Sequence, residues 1–330
     1  MAPAAPANIT TIARFPEHFF LENLAVRADG SILVTVLNHK QLWCVPAPHG
    51  SQPVTPVLVH TFDGFAMGIV ETEPDIFYVS TLDQATLQRF DMRGWVPGAP
   101  VTPTRVLTFD RPAGLNGSCL LAPRMILLAD SLAGLIWRVD LTDDGLTASA
   151  SVWLRHHTMA ADPDNGLTSP FGPQPGINGI RFAARTNVVY YTSSARKLFM
   201  RVAIDPATRT PVGQPEVVAA DFTADDFCLD ENAGVAYLTT HTDNTIVRVP
   251  IHPGADGATR SIVAGEPFDE QLVGPSSAAW ARGPADYGRI AYVTTDGGHT
   301  AIEYHRPGSD EIIRPARVVR AQFTPENPAR

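Results

Sequence analysis

Along this chain apolar residues come in short runs separated by polar turns, and nowhere do they keep helical spacing over several turns. Six runs rich in β-branched and aromatic residues stand out: ILVTVL (32–37), IFYVSTL (76–82), MILLADS (125–131), VVYYTSS (188–194), VAYLTTH (235–241) and IAYVTTD (290–296). Each reads as a strand. After a polar turn comes a second run in each case: QLWCVP (41–46), TLQRFD (86–91), LIWRVD (135–140), LFMRVA (198–203), TIVRVP (245–250) and the weaker AIEYH (301–305). Upstream of each pair lies a third: LENLAV (21–26), AMGIV (66–70), LNGSCLL (115–121), INGIRF (177–182), ADDFCL (224–229) and PSSAAW (275–280).

Taking one residue at the same phase of each upstream run gives Glu22, Met67, Asn116, Asn178, Asp225 and Ser276, spaced by 45, 49, 62, 47 and 51 residues. Those intervals are blade lengths. VLVHTF, RVLTF, SVWLR and EVVAA supply a fourth, outer strand. The expected fold is therefore all-β, a six-bladed β-propeller with four antiparallel strands per blade, forming a single domain over residues 1–330. Residues 8–15 and 315–323 are both able to close the ring, and the sequence does not decide which terminus supplies which strand. A β-sandwich is the competing architecture, but six in-phase copies of a three-part pattern disfavour it.

The 330 residues are 44% hydrophobic and 18% charged, enough apolar material for a large core. A net charge of −9 argues against nucleic acid or an anionic membrane as partner and favours a neutral organic molecule or a cation. Cys44, Cys119 and Cys228 read as reduced core residues. The start of the chain lacks the basic and apolar regions of a signal peptide, and no apolar run reaches membrane-spanning length, so a cytoplasmic protein is expected.

In a propeller the turns into the inner strands lie at one mouth of the central channel, so the six phase-matched residues converge there. Glu22, Asn116, Asn178 and Asp225 offer side-chain oxygens, a hard donor set suited to one divalent metal, Ca²⁺, Mg²⁺ or Mn²⁺. The alternative is that Asn and Asp simply favour turns. The 62-residue interval carries an excess that falls in a Pro/Gly-rich insertion at about 155–176, which reads as a lid over the mouth or as a surface loop. His156 and His157 open that insertion, and His241 ends the blade-five run; each is a candidate for acid/base work. Phe19, Phe20, Met67, Phe227 and Trp280 flank the ring, with Asp226 and Ser276 beside them, and an apolar rim over a polar floor suits a medium-sized apolar substrate. No nucleophile elbow, phosphate-binding loop or H-E-x-x-H motif is present, and no organic cofactor is indicated.

ENLAVRADG, AMGIVETEPDIFYV, LNGSCLLAP, PGINGIRF, ADDFCLDENAGVAY, NTIVRV and GPSSAAWARG together resemble a fungal branch of the SMP-30/gluconolactonase/LRE-like superfamily over nearly the whole chain. That resemblance implies a six-bladed propeller. It also implies an axial divalent metal held by a Glu, two Asn and an Asp, which fall on Glu22, Asn116, Asn178 and Asp225. The lactonases' N-D-G is L-N-G here, and their P-D-G is A-D-D, departures that bear on sugar-lactone hydrolysis more than on metal binding. The branch is similar to hetero-Diels–Alderases of tropolone–sesquiterpene biosynthesis, which join an o-quinone methide to an alkene such as humulene. Three functions are thus expected to compete: this cycloaddition, metal-dependent lactone hydrolysis, and a non-catalytic scaffold that would leave the shared polar phase unexplained.

Overall fold

In the computed structural model, residues 5–324 are described apart from 51, 111–112, 163–167, 170–171, 252–259, 266–271 and 300–312. Six four-stranded antiparallel sheets stand around one axis, the six blades of a propeller. Their inner strands are Leu21–Val26, Ala66–Glu73, Leu115–Ala122, Ile177–Ala183, Phe227–Asp230 and Pro275–Trp280. The six β-branched and aromatic runs form the second strands, and the outer strands expected for the first four blades fall in place as Val57–Thr61, Thr104–Thr108, Ala148–Arg155 and Pro211–Ala220. Among the described residues no helix is long and apolar enough to cross a membrane.

The last blade departs from the expected assignment. Its third strand is Arg317–Gln322, which pairs with Ile290–Thr295 on one side and with Asn8–Arg14 on the other. Both chain ends therefore build blade 6, the N-terminal strand being its outermost. AIEYH, expected as the third strand, lies outside the described residues. So does part of the expected lid; on either side of it lie a short 3-10 turn, His157–Met159, and a two-residue pairing of Thr168–Ser169 with Gly172–Pro173.

The apolar core lies between blades. Six clusters each draw on two adjacent sheets, as where Leu33, Leu42 and Cys44 of blade 1 meet Ile69, Phe77 and Phe90 of blade 2. Full burial of one such large side chain contributes about 1.5–3 kcal/mol. The three thiols sit in these clusters, and burial raises all of them, Cys119 to about 12, so they stay protonated and inert.

Next to the axis, hydroxyls replace apolar packing. Thr35, Thr192 and Thr239, near the ends of second strands, each accept an N–H from their own inner strand and donate to a carbonyl of the next blade, that of Met67, Asp225 and Ser276 respectively. Ser276 Oγ donates to the Leu21 carbonyl and carries the sequence of links from blade 6 back to blade 1. Five inner strands have a register irregularity at these residues. Such bulges re-aim side chains, here at the phase position.

Candidate functional site at the axial mouth

Five of the six phase-matched residues are the second residue of an inner strand; Asp225 stands just before its strand. All six are buried. The last residue of each β-branched and aromatic run makes a companion set, Leu37, Leu82, Ser131, Ser194, His241 and Asp296; each directly follows its second strand except His241, which Thr240 separates from the strand end. A third set lies two residues before the first and includes Phe20, Phe65, Gly114, Gly176 and Gly274. By blade, the mouth divides in two. Blades 1 and 2 contribute Phe20, Leu37, Phe65, Met67 and Leu82, which pack as one apolar cluster, and blade 1 adds the Glu22 carboxylate. Blades 3 to 6 contribute amides, hydroxyls, carboxylates and one imidazole.

In blades 3 and 4 the serines orient the asparagines. Ser131 Oγ donates its proton to the Ile177 carbonyl and accepts from Asn116 Nδ2 at 3.2 Å. Ser194 Oγ donates to the Ala224 carbonyl and accepts from Asn178 Nδ2 at 3.1 Å. Each amide nitrogen is thereby fixed toward its serine, and each Oδ1 accepts no hydrogen bond from the described residues. Asn178 Nδ2 also donates to Asp225 Oδ1 at 2.6 Å.

Glu22 is different. Its side chain is buried, yet no described residue donates to it. Burial, and then the neighbouring carboxylate of Asp225, holds its pKa well above the usual carboxylate range, His241 opposing. Burial likewise lifts Asp225 to about 7, with His241 pulling it down and Asp226 pushing it up. The His241 ring lies between two carboxylates, Nδ1 3.2 Å from Asp225 Oδ2 and Nε2 3.1 Å from Asp296 Oδ2. Burial lowers its pKa, but Asp296, Asp225 and Glu22 outweigh burial and bring it to about 9, so the imidazolium persists at neutral pH. A carboxylate buried without a donor must bind a proton or a cation.

The remaining expected residues have other tasks. Asp226 turns to the next level of the channel, where Arg181, Ser277 and Asn23 all donate to its Oδ2, at 2.6, 2.6 and 3.3 Å. Gly179 makes this possible, because a Cβ there would come within 2.8 Å of the Asp226 Cα. Phe227 is not at the pocket: it packs edge-on against Phe199 in the core between blades 4 and 5. Trp280 ends its strand, four residues from Ser276, and packs on Tyr237. Phe19 stacks on His39. His157 is exposed, its ring tilted against that of His156, with no contact to the six phase residues among the described groups. Phe20 and Met67 do reach the mouth, the Phe20 ring 5.4 Å from that of His241. Asp296 was not foreseen, although it ends its run as His241 ends the preceding one, TTD matching TTH.

Among the described residues no three His, Cys, Asp or Glu side chains converge as a metal cage. The set that fits a hard cation is mixed: the donor-free carboxylate of Glu22, the two outward amide oxygens of Asn116 and Asn178, and Asp225 as fourth donor. Thiols and neutral imidazoles are absent from it, so its chemistry favours Ca²⁺, Mg²⁺ or Mn²⁺ over zinc.

No protein-family model matches the sequence, and a comparison with curated proteins found no match. Solved structures do match. A luciferin-regenerating enzyme superposes with a TM-score of 0.67 at 13% identity, covering 96% of this chain and 95% of its own. Regucalcin from Agrobacterium tumefaciens, a calcium-binding protein, gives 0.63 at 14% identity over 98% of this chain and 95% of its own. This chain has their fold. A candidate gluconolactonase gives 0.59 at 13% identity, with 97% and 94% covered. At such identities the likeness establishes architecture, while activity has to be argued from the mouth itself.

Proposed function

We propose that the axial mouth is the active site of a hydrolase of the lactonase type, acting on a cyclic or open ester whose remainder is apolar. The observation that carries this reading is the Glu22 carboxylate, buried without a donor at the same repeat position as two asparagines whose amide nitrogens are turned to serines. The regucalcin and gluconolactonase folds among its structural neighbours support it. Glu22, Asn116, Asn178 and Asp225 would hold a divalent cation, which supplies Lewis acidity toward a carbonyl oxygen. Asp225, whose carboxylate Asn178 and His241 hold in place, takes the proton of an attacking water as the water oxygen bonds to the carbonyl carbon. That proton then passes to the departing alkoxide as the carbon–oxygen bond breaks. The wall of Phe20, Leu37, Phe65, Met67 and Leu82 seats the apolar part and keeps bulk water from the reacting carbonyl.

The same apolar wall favours a second reading, because a sugar lactone has little apolar surface to lay against it. In that reading the mouth aligns a tropolone-derived o-quinone methide with a sesquiterpene alkene for a hetero-Diels–Alder addition, and a proton donor at the polar side polarises the enone oxygen. One experiment separates the two. Purified protein is given alkyl-substituted lactones and, separately, a quinone-methide precursor with humulene, each with and without chelator. Hydrolysis that is lost with chelator, restored by Ca²⁺ or Mn²⁺ and absent in Glu22→Ala supports the first reading. Chelator-insensitive cycloadduct formation without lactone opening overturns it in favour of the second.

A further inference from the structure

We propose that His241 of the same blade and Asp296 of the adjacent blade are positioning residues that hold the Asp225 carboxylate in its working orientation, a role that rests on the hydrolase reading above. The repeat itself points to it. In blades 3 and 4 the residue after the second strand, Ser131 or Ser194, takes the amide proton of the phase residue of its own blade and so sets which atom faces the channel. In blade 5 the matching residue is His241, two past Thr239 as Ser194 is two past Thr192, and its Nδ1 meets Asp225 Oδ2 in the same relation. An imidazole is longer than a serine hydroxymethyl and has a second nitrogen to satisfy. Asp296, at the matching position of blade 6, meets that nitrogen at 3.1 Å.

Asp296 is seated for this. It is wholly buried, and the Gly298 N–H donates to its Oδ1 at 2.8 Å. Gly274 clears the space, since a Cβ there would lie 1.7 Å from Asp296 Oδ1. The phase residue of blade 6, Ser276, is engaged with the Leu21 carbonyl and with Thr294, so Asp296 serves the neighbouring blade's carboxylate instead. With Asn178 donating to Oδ1 and His241 at Oδ2, both oxygens of Asp225 are fixed.

Asp296→Asn keeps the shape of the side chain and removes its charge. It should lower kcat for lactone opening by about 10- to 100-fold with KM little changed, the range for partners that orient a functional group. Because the effect runs through Asp225, the same change in a chain already carrying Asp225→Asn should cost less than about twofold more, and a fully additive loss overturns the proposal. His241→Asn, which retains an N–H near the Nδ1 position, should keep most of the rate that His241→Ala loses; equal losses overturn it. A readout that needs no turnover is the ¹⁵N shift of the two His241 ring nitrogens. Asp296→Asn should move the Nδ1 signal as well as Nε2, and an unmoved Nδ1 overturns the proposal. If the wild-type protein opens no lactone, the hydrolase reading fails and the nitrogen shifts alone decide the pair.

Discussion

Replacing Glu22 by glutamine tests the energetics of the mouth directly. The carboxylate is buried, takes no hydrogen bond from the described residues and lies near Asp225, so its pKa is raised well above 4.5. A group whose folded pKa is raised contributes stability below its unfolded pKa and loses that contribution as pH rises through the folded value. At pH 5 the wild-type side chain is protonated and resembles glutamine. At pH 9, in chelator, the folded protein must either retain a proton that the unfolded chain releases or carry the buried charge, and either costs several kcal/mol. Glutamine avoids that cost but brings an amide whose unmet hydrogen bonds cost about 1–3 kcal/mol. The variant should therefore be roughly 1–2 kcal/mol more stable at pH 9, or about 2–4 °C in melting temperature for a chain of this size. Saturating Ca²⁺ should reverse the order, since ligand at a hundredfold excess over Kd adds about 2.7 kcal/mol to the wild type alone. Scanning calorimetry at pH 5 and 9, with chelator and with Ca²⁺, reads all four conditions. A variant that melts below wild type at pH 9 in chelator, or a difference that does not change with pH, refutes the reasoning.

Thr239→Val should destabilise the propeller by about 2–4 kcal/mol in urea unfolding, because it strips a donor from the Ser276 carbonyl and an acceptor from the Asp226 N–H, both buried. Gly179→Ala should cost a similar amount and expose the channel floor, since the added methyl meets the Asp226 backbone; a crystal structure with Arg181 still on Asp226 would refute the second part. Leu37→Asn should weaken binding of alkyl lactones by about tenfold while leaving short-chain analogues within about twofold, as the loss of one apolar side chain from the wall requires; a KM series against alkyl length measures it.

Blade count and the location of the mouth were legible because each blade repeats the same three runs at one phase, and Glu22, Asn116, Asn178 and Asp225 fall on that phase. Closure was not legible. RVVRAQ and NITTIAR are both plain strand patterns, and only pairing partners reveal that they lie side by side in one sheet. The weak run AIEYH drew the third strand of blade 6 to the wrong place because it followed IAYVTTD at the usual interval. Phe227 was placed at the rim by its neighbour Asp225, yet Asp225 lies before the strand that Phe227 opens, so nearness in sequence did not carry over and Phe227 packs in the inter-blade core. His241 could be named from sequence but its partner could not, since Asp296 lies 55 residues further along the chain, one blade away. The common signal was the last residue of each β-branched and aromatic run, which carries the companion ring and changes from leucine to serine to ionisable residues around the axis.

The clasp in blade 6 also bears on how the protein is made. Arg317–Gln322 must enter between Asn8–Arg14 and Ile290–Thr295, so the sheet that shuts the ring cannot assemble until nearly the whole chain has left the ribosome. Until then Ile12, Ala13 and Phe15 lack the partners Ala316 and Val318 that bury them in the finished protein, and the first blade presents an open apolar flank. An unclosed ring is thus the state in which this flank is open to non-native contacts, and slowing closure is expected to raise aggregation more than weakening the finished ring elsewhere.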